Sequence, residues 1–335
     1  MDLDCDNFNS LTDDKKLNTL VYLGTLAASS HNTQPWLFKI NENGKTIEVC
    51  ANNSRRLKDS DPEGRELFLS LGAATENLEQ AITSFGLDYV YEEKDHSTEP
   101  SAVFKLNSLQ SPRLDTFKLK GILNRHSNRY PFDQKPLPQS FIDWIKSLNS
   151  PNIEIKLITN YQPVLKNKIN SIVLNAIESG FHDKIFTREL SQWIRPSLKR
   201  YRDGMPGYNI GIPWLFSLIM PWAIRYIPMA GMQRAMNKKM LDHCSGIAVI
   251  STNGNDPASW FKAGRIYERV ALEAERFGLK QGVFGAPIEI GSFYKDLQNE
   301  LFTKLRPQMV FRLGVTKKVP PRSPRLNLHS VIIEN

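Results

Sequence analysis

Between Asn124 and Pro138 the chain reads NRHSNRYPFDQKPLP. Arg125 and Arg129 flank His126, Ser127 and Asn128, so two guanidinium forks and a hydroxyl sit within about one helical turn. Forks of this kind match the oxygens of a phosphate, and arginines at i and i+4 around a serine can converge on one such group. The same run also reads as an exposed basic helix start. A second polar cluster lies upstream in LAASSHNTQPWLFKI, Leu26 to Ile40. Ser29, Ser30, His31, Asn32 and Gln34 crowd one turn ahead of Pro35-Trp36, which is more than bending a chain requires. Such groups are either solvated or aimed at a polar ligand.

Two similar sets of elements must position these clusters. LGAATENLEQAITSFGL (Leu71–Leu87) and AGRIYERVALEAERFGL (Ala263–Leu279) match position by position. Leu71 pairs with Ala263, Gly72 with Gly264, Ala74 with Ile266, Leu78 with Val270, Ile82 with Ala274 and Phe85 with Phe277. Steps of three and four mark one helical face. Gly86 and Gly278 stand where a left-handed residue would stop each helix. TIEVCAN (Thr46–Asn52) and GIAVIST (Gly246–Thr252) read as strands ahead of the helices, and Asp61-Pro62 and Asp256-Pro257 precede them too. The spacing predicts a duplication with halves at 1–110 and 111–335. The second half is lengthened by an insertion at about 160–243. Strands and helices mixed without regular βαβ order predict an α+β class. The first polar turn follows a helix with Thr12 at its expected N-cap and Asp13 and Asp14 in its first turn. Each half carries one polar cluster and neither carries both.

The bulk numbers exclude several classes. With 335 residues, 41% hydrophobic and 23% charged, the chain has the composition of a globular protein with a large core. The N-terminus MDLDCDNFNS lacks the basic and apolar regions of a secretory signal. Cys5, Cys50 and Cys244 form no disulfide or CxxC pattern, which points to a reducing, cytoplasmic setting. No metal site is expected, since His243-Cys244 is the only His/Cys pair. The net charge of +8 is spread over groups such as Lys199-Arg200-Tyr201-Arg202 and Lys238-Lys239, without interleaved stacking aromatics. Nucleic acid is therefore not the expected partner, whereas a phosphorylated anion suits the charge. GIPWLFSLIMPWAIRYIPMAGM (Gly211–Met232) is apolar, but Pro213, Pro221, Pro228 and Arg225 break it below the ~20 residues of a spanning helix. The expectation is a buried or ligand-covering hairpin without stable membrane insertion, in preference to an interfacial segment.

The segments R-x-S-x-R-x-P-F and A-x-S-x-x-N-x-Q-P-W resemble the signature segments of the FMN-dependent nitroreductase family. One per half, they resemble most the large, internally duplicated Acg-like branch, as do DPEGRELFLSLGAA (Asp61–Ala74), YRDGMPG (Tyr201–Gly207) and PQMVFRLGVTKKVPPRSPR (Pro307–Arg325). The resemblance implies a nitroreductase-like fold duplicated in one chain, with mixed or antiparallel sheets flanked by helices and a helical lid from the insertion. It implies an FMN-binding oxidoreductase that takes hydride from NAD(P)H and passes electrons to a nitroaromatic, quinone or similar small-molecule acceptor. Arg125, His126, Ser127 and Arg129 would hold the FMN phosphate and ribityl end. Ser29, Ser30 and Asn32 would approach the ring, with Gln34 bonding the ring or bracing the turn. GAPIEIG, with Pro287 and Ile288, resembles a loop beside flavin N5, and Arg322 or Arg325 would supply a second phosphate cation. The sequence departs from the family in reading Ala-Ala-Ser where Ala-Pro-Ser is usual, and the first half has no Arg-Ser-Arg segment of its own. One FMN per chain and a monomer acting as an internal pseudo-dimer follow. The rival is a flavin store, in which an insertion rich in Trp193, Met205, Trp214, Phe216, Met220, Trp222 and Tyr226 folds over the ring and prevents turnover.

Overall fold

A computed structural model of the chain describes residues 4–41, 43–94, 102–198 and 201–334, so Lys199 and Arg200 of the basic groups lie outside it. The first half opens with α1 (Cys5–Asn9) and α2 (Asp13–Thr25). Thr12 occupies the N-cap position of α2, but its side chain makes no capping bond. The hairpin β1 (Trp36–Asn41) and β2 (Thr46–Ala51) follows, then α3 (Arg65–Ser84), β3 (Tyr89–Glu93) and β4 (Ala102–Leu106). In β1 the alternation of strand side chains sends Trp36 and Phe38 into the core, both fully buried. They pack with Leu20, Leu71, Leu78 and Phe104 in one cluster.

The second half begins with α4 (Thr116–Asn124), capped by the Asp115 carboxylate on the N–H groups of Phe117 and Lys118. Then come α5 (Gln139–Ser147), β5 (Ile153–Thr159), α6 (Pro163–His182), α7 (Lys184–Trp193), the two-residue strands β6 (Ile194–Arg195) and β7 (Met205–Pro206), α8 (Trp214–Tyr226) and α9 (Ala230–Asp242). The chain closes with β8 (Gly246–Thr252), α10 (Pro257–Arg276), β9 (Lys280–Val283), α11 (Ala286–Glu289), α12 (Phe293–Glu300), β10 (Arg306–Gly314) and β11 (Ile332–Glu334). Every residue of β8 is buried, as its continuous apolar run requires of a central strand.

Two sheets result, in the order β11-β1-β2-β4-β3 and β5-β8-β10-β9. Within these two sheets all pairs are antiparallel except β1 with β11, where the C-terminal tail returns from the second half to extend the first sheet; β6 and β7 form a separate parallel pair. The α+β class and the duplication are both realised. Between the sheets α3 crosses α10, and the two glycines matched in sequence lie at the crossing. A Cβ on Gly72 would lie 2.0 Å from the Phe261 carbonyl oxygen, and one on Gly264 would lie 2.0 Å from that of Leu69. Leu69 and Phe261 are themselves the matched pair three residues earlier, so each helix meets the other at the same point of the repeat. Only glycine permits the approach. Gly86 and Gly278 take φ of 63° and 68°, as helix-stopping residues should.

The insertion supplies α6 to α9. Pro213 precedes α8, Pro221 lies within it, and Pro228 falls in the break before α9. Among the described residues no single helix is long and apolar enough to cross a membrane. α8 and α9 would reach that length only together, and they are bent by 116°. The expectation of a buried hairpin holds for the inner face of α8, where Ser217, Ala223 and Ile224 are buried. It fails for the outer face, which lies in solvent.

Candidate functional site

After α2 ends, the turn Ser29–Gln34 adopts a backbone that L-residues rarely choose. His31, Asn32 and Gln34 have φ of 50°, 56° and 53°. Each such residue costs on the order of 1 kcal/mol, so the surroundings must impose the shape. They do so through the polar side chains themselves. Asn32 donates to the carbonyls of Gly204 and Pro324, both at 3.0 Å, and Gln34 donates to that of Arg202 at 2.9 Å. Gln34 Oε1 accepts from the Leu326 N–H at 2.9 Å, and Ser29 Oγ accepts from the Gln34 N–H at 3.0 Å. Arg325 donates to the carbonyls of Thr25, Leu26 and Ala27 and to Asn32 Oδ1. Asn32, Gln34 and Arg325 thus stitch the turn to the insertion and to the C-terminal tail. Burial depresses the Arg325 pKa to about 9.

The second cluster starts where α4 stops. Arg125 Nε lies 2.7 Å from Glu268 Oε1, with both side chains buried, and Arg125 Nη2 donates to the Leu26 carbonyl at 2.8 Å. The other oxygen of Glu268 accepts from the Ala28 N–H at 3.3 Å. A single buried carboxylate therefore ties the arginine segment of one half to the serine turn of the other. Burial raises the Glu268 pKa although Arg125 opposes it. His126 bonds the Asn124 carbonyl at 2.8 Å, and burial lowers its pKa to about 4, leaving a neutral ring whose Nε2 has no partner. Arg322 donates to Asn124 Oδ1 at 3.0 Å. Arg125 and Arg322 act on Arg325, with Glu268 opposing them, and Glu275, paired with Lys280, also lies within reach of Arg125 and Arg322. The surplus of cations suits a phosphate.

Of the sequence candidates, Ser29, Ser30, Ser127 and Arg129 come together on one cavity of about 180 Å³ at the junction of the halves. Arg65, Glu66, Tyr267 and Glu289 complete its polar wall. A larger cavity of about 300 Å³ adjoins it, and His31, Arg129, Val283, Phe284 and Gly285 line both. The larger one is apolar, with Met205, Met220, Met229, Met232, Met236 and Met240 on its wall. Methionine side chains adapt to varied ligand shapes. Pro287 and Ile288 are buried in α11 behind the cavities, and the loop reaches them through Gly285, Ala286 and Glu289.

The electrostatics of the junction are uneven. Arg129 stands between the cavities with Met205 Sδ at 3.2 Å, and among the described residues no carboxylate reaches its guanidinium. Burial lowers its pKa. His31, pushed down to about 4 by burial and by Arg129, is neutral at physiological pH. On the opposite wall Ser30 donates to Glu66, Arg65 bonds Glu66, and Arg65 lies 3.7 Å from Glu289. Burial and the neighbouring Glu66 raise the Glu289 pKa well above an ordinary glutamate, so its carboxyl retains a proton. Gly285 makes room for this carboxyl, since a Cβ there would lie 2.0 Å from Glu289 Oε1. An isolated buried cation, serine hydroxyls and an apolar chamber suit a planar ligand that carries or develops negative charge. The residues that line the cavities, Arg129, Ser29, Ser30 and Ser127, are donors of the kind FMN needs, whereas Arg125, His126 and Arg322 line neither cavity and Arg125 is engaged by Glu268.

Sequence reasoning missed Glu268, Glu66, Arg65 and Tyr267, and it named His31 only within the polar turn and reached Glu289 only through GAPIEIG, with no role of its own for either. For Glu268 a signal existed. It matches Glu76 in the repeat, a charged residue kept in both copies amid apolar positions. Glu66 and Tyr267 carried no such mark.

No family model matches the chain. The chain is similar to two Mycobacterium tuberculosis proteins provisionally named as NAD(P)H nitroreductases. Rv3131 is 24% identical over 332 residues, covering 96% of this chain and 92% of the relative. Acg is 22% identical over 327 residues, covering 94% of each. Among solved structures, the FMN-dependent nitroreductase NfnB from Mycobacterium smegmatis in complex with NADPH aligns with a TM-score of 0.42 at 12% identity. It covers 64% of this chain and 96% of that one. Along nearly its whole length the chain is thus similar in sequence to proteins named as nitroreductases, Acg among them.

Proposed function

We propose that this protein is an FMN-dependent oxidoreductase that draws hydride from NAD(P)H and reduces a small acceptor such as a nitroaromatic or a quinone. The observation that carries the reading is Arg129, a buried guanidinium without a carboxylate partner, placed where the serine turn of one half meets the arginine segment of the other. Bound FMN would supply the two-electron chemistry. The chain's own residues do the rest. Arg129 holds negative charge on the ligand, where low dielectric strengthens its effect. Ser29 and Ser127 offer hydroxyls beside it, while Arg125, bonded to Glu268, holds the arginine segment against the serine turn. Glu289 holds a proton at its carboxyl within the same cavity. The halves 1–110 and 111–335 act as the two members of an internal pseudo-dimer, with one FMN per chain. Cys5, Cys50 and Cys244 form no disulfide, which agrees with a cytoplasmic setting.

A flavin store is the alternative, and one observation weighs against it. Met220, Ile224 and Met229 of the insertion line a cavity of about 300 Å³ that adjoins the candidate site, which is space an enzyme needs and a store does not. That volume is at the lower end of small-molecule sites and leaves room for nicotinamide or acceptor. Anaerobic stopped-flow absorbance of the FMN-loaded protein with NADPH and NADH tests the choice. Rapid bleaching of the flavin, followed by reoxidation with a nitroaromatic, supports an enzyme. A flavin that binds and stays oxidised supports a store. Failure to bind FMN in a fluorescence titration sinks both.

A further inference from the structure

The outer face of α8 is unlike the surface of a soluble helix. Trp214, Leu215, Leu218, Ile219, Trp222 and Tyr226 are each between 45% and 60% exposed, and Phe216 and Ile227 are exposed beside them. The inner face is mostly apolar too, with Met220 and Ile224 over the larger cavity and Ala223 and Ser217 buried beside them. A helix largely apolar on both faces belongs in a protein core or in lipid, and a contiguous exposed patch of this kind marks an interaction site. We propose that α8 and the start of α9 dock on the surface of an anionic lipid bilayer, lying in the plane of the interface.

Three observations select lipid as the occupant. The first is geometric. α8 and α9 together have the length and composition of a membrane segment, yet they are bent by 116°, which suits a segment lying on a bilayer and not one crossing it. The second is charge. Between Gly211 and Asp242 the cations are Arg225, Arg234, Lys238 and Lys239, and Asp242 is the acid. Arg234 is paired with Glu178 and Lys238 with Asp242, while Arg225, on α8 itself, and Lys239 are exposed; tryptophans and a tyrosine stand among the apolar residues, as they do at the headgroup level. A second copy docking through a twofold axis would bring the same cations against themselves. The third is continuity. Met232 and Met236, on α9 just after α8, are half exposed and also line the larger cavity together with Met220 and Ile224 of α8. That cavity is therefore walled by the same two helices that would lie on the bilayer, so a molecule dissolved in lipid could enter it there.

The test is co-sedimentation of the full chain with vesicles of phosphatidylcholine and phosphatidylglycerol, and with phosphatidylcholine alone. The intact protein is expected to bind the mixed vesicles, to bind the neutral ones more weakly, and to show a blue shift in tryptophan emission on binding. Ile219→Asp with Trp222→Asp changes only exposed side chains and should weaken binding by about tenfold or more, with unaltered far-UV circular dichroism. Should that double variant misfold, Trp214→Glu repeats the comparison at the other end of α8. No binding by the intact chain overturns the proposal, as does equal binding by the folded variants. So does a concentration-dependent dimer that the same substitutions abolish while vesicles are ignored, which would assign the face to a second copy.

Discussion

Replacing Gly72 by Ala tests whether the two halves meet as matched copies. In an isolated helix the change would stabilise by about 1 kcal/mol, because alanine favours the helix and glycine does not. Here the added methyl lies 2.0 Å from the Phe261 carbonyl oxygen and 2.9 Å from the Arg265 nitrogen, where ordinary contact begins at 3.4 Å. Both obstacles are backbone atoms, so no side chain can rotate away and α3 must part from α10. Overpacking with backbone movement costs about 3 kcal/mol. The net loss should be about 2 kcal/mol, and Gly264→Ala should lose about the same by clashing with Leu69. The double variant should lose clearly less than the two losses combined, because one parting of the helices relieves both clashes. Urea unfolding followed by circular dichroism measures each value. FMN titration of the same proteins reports whether the junction has loosened. Single variants within about 0.5 kcal/mol of the intact chain, or a strictly additive double variant, would refute the symmetric crossing.

Further outcomes follow from the site. Arg129→Ala should weaken FMN binding by about 1.5–3 kcal/mol in a fluorescence titration. It should leave the ligand-free protein no less stable in thermal melts, since it removes a buried cation that no carboxylate neutralises. Glu268→Gln should destabilise the chain by about 3 kcal/mol in urea, because it strands Arg125 without its counter-charge. Asp61, pushed up to about 6 by burial and by Glu66, binds protons more tightly folded than unfolded. Its contribution to stability therefore falls as pH rises from about 4 to 6, and Asp61→Asn should flatten that part of the stability–pH curve.

How far the sequence revealed this arrangement varied with the kind of signal. Periodicity and turn residues placed β2 and β8 to within a residue and stopped α3 and α10 at their glycines. Both helices begin earlier than the apolar pattern suggested, at Arg65 and Pro257. For α3 the reason is that Arg65 and Glu66 are polar, yet they face a buried cavity instead of solvent, so hydrophobicity alone could not count them in. The polar turn shows another limit. Asn32 and Gln34 were ligand candidates by type, but their side chains hold Gly204, Arg202 and the tail near Leu326. Bracing and binding draw on the same amides, and only the partner distinguishes them. The insertion's prolines broke α8 from α9 as read, while nothing in its apolar run told which face would remain outside.

The matched glutamates explain why the two halves serve different ends. Glu76 and Glu268 occupy the same position of the repeat, and both are fully buried. Glu76 faces across the helix crossing to Arg269 at 2.7 Å and Arg265 at 3.1 Å; burial alone would raise its pKa, yet these two hold it below the ordinary value. That copy neutralises its charge on the partner helix and locks α3 to α10. Glu268 meets only Arg125 as a bonded cation and turns its second oxygen to the Ala28 N–H, so burial prevails and its pKa rises. This copy is less fully neutralised, and it fixes the arginine segment beside the serine turn. The difference arises because Arg125 belongs to a segment that the first half lacks, whereas Arg265 and Arg269 have Ala73 and Asn77 as their counterparts in α3. A duplicated scaffold with equal glutamates thus yields one clamp and one organised cavity. A second, symmetry-related cavity would need an arginine facing Glu76 from the first half's own polar segment, and that place is taken by the arginines of α10.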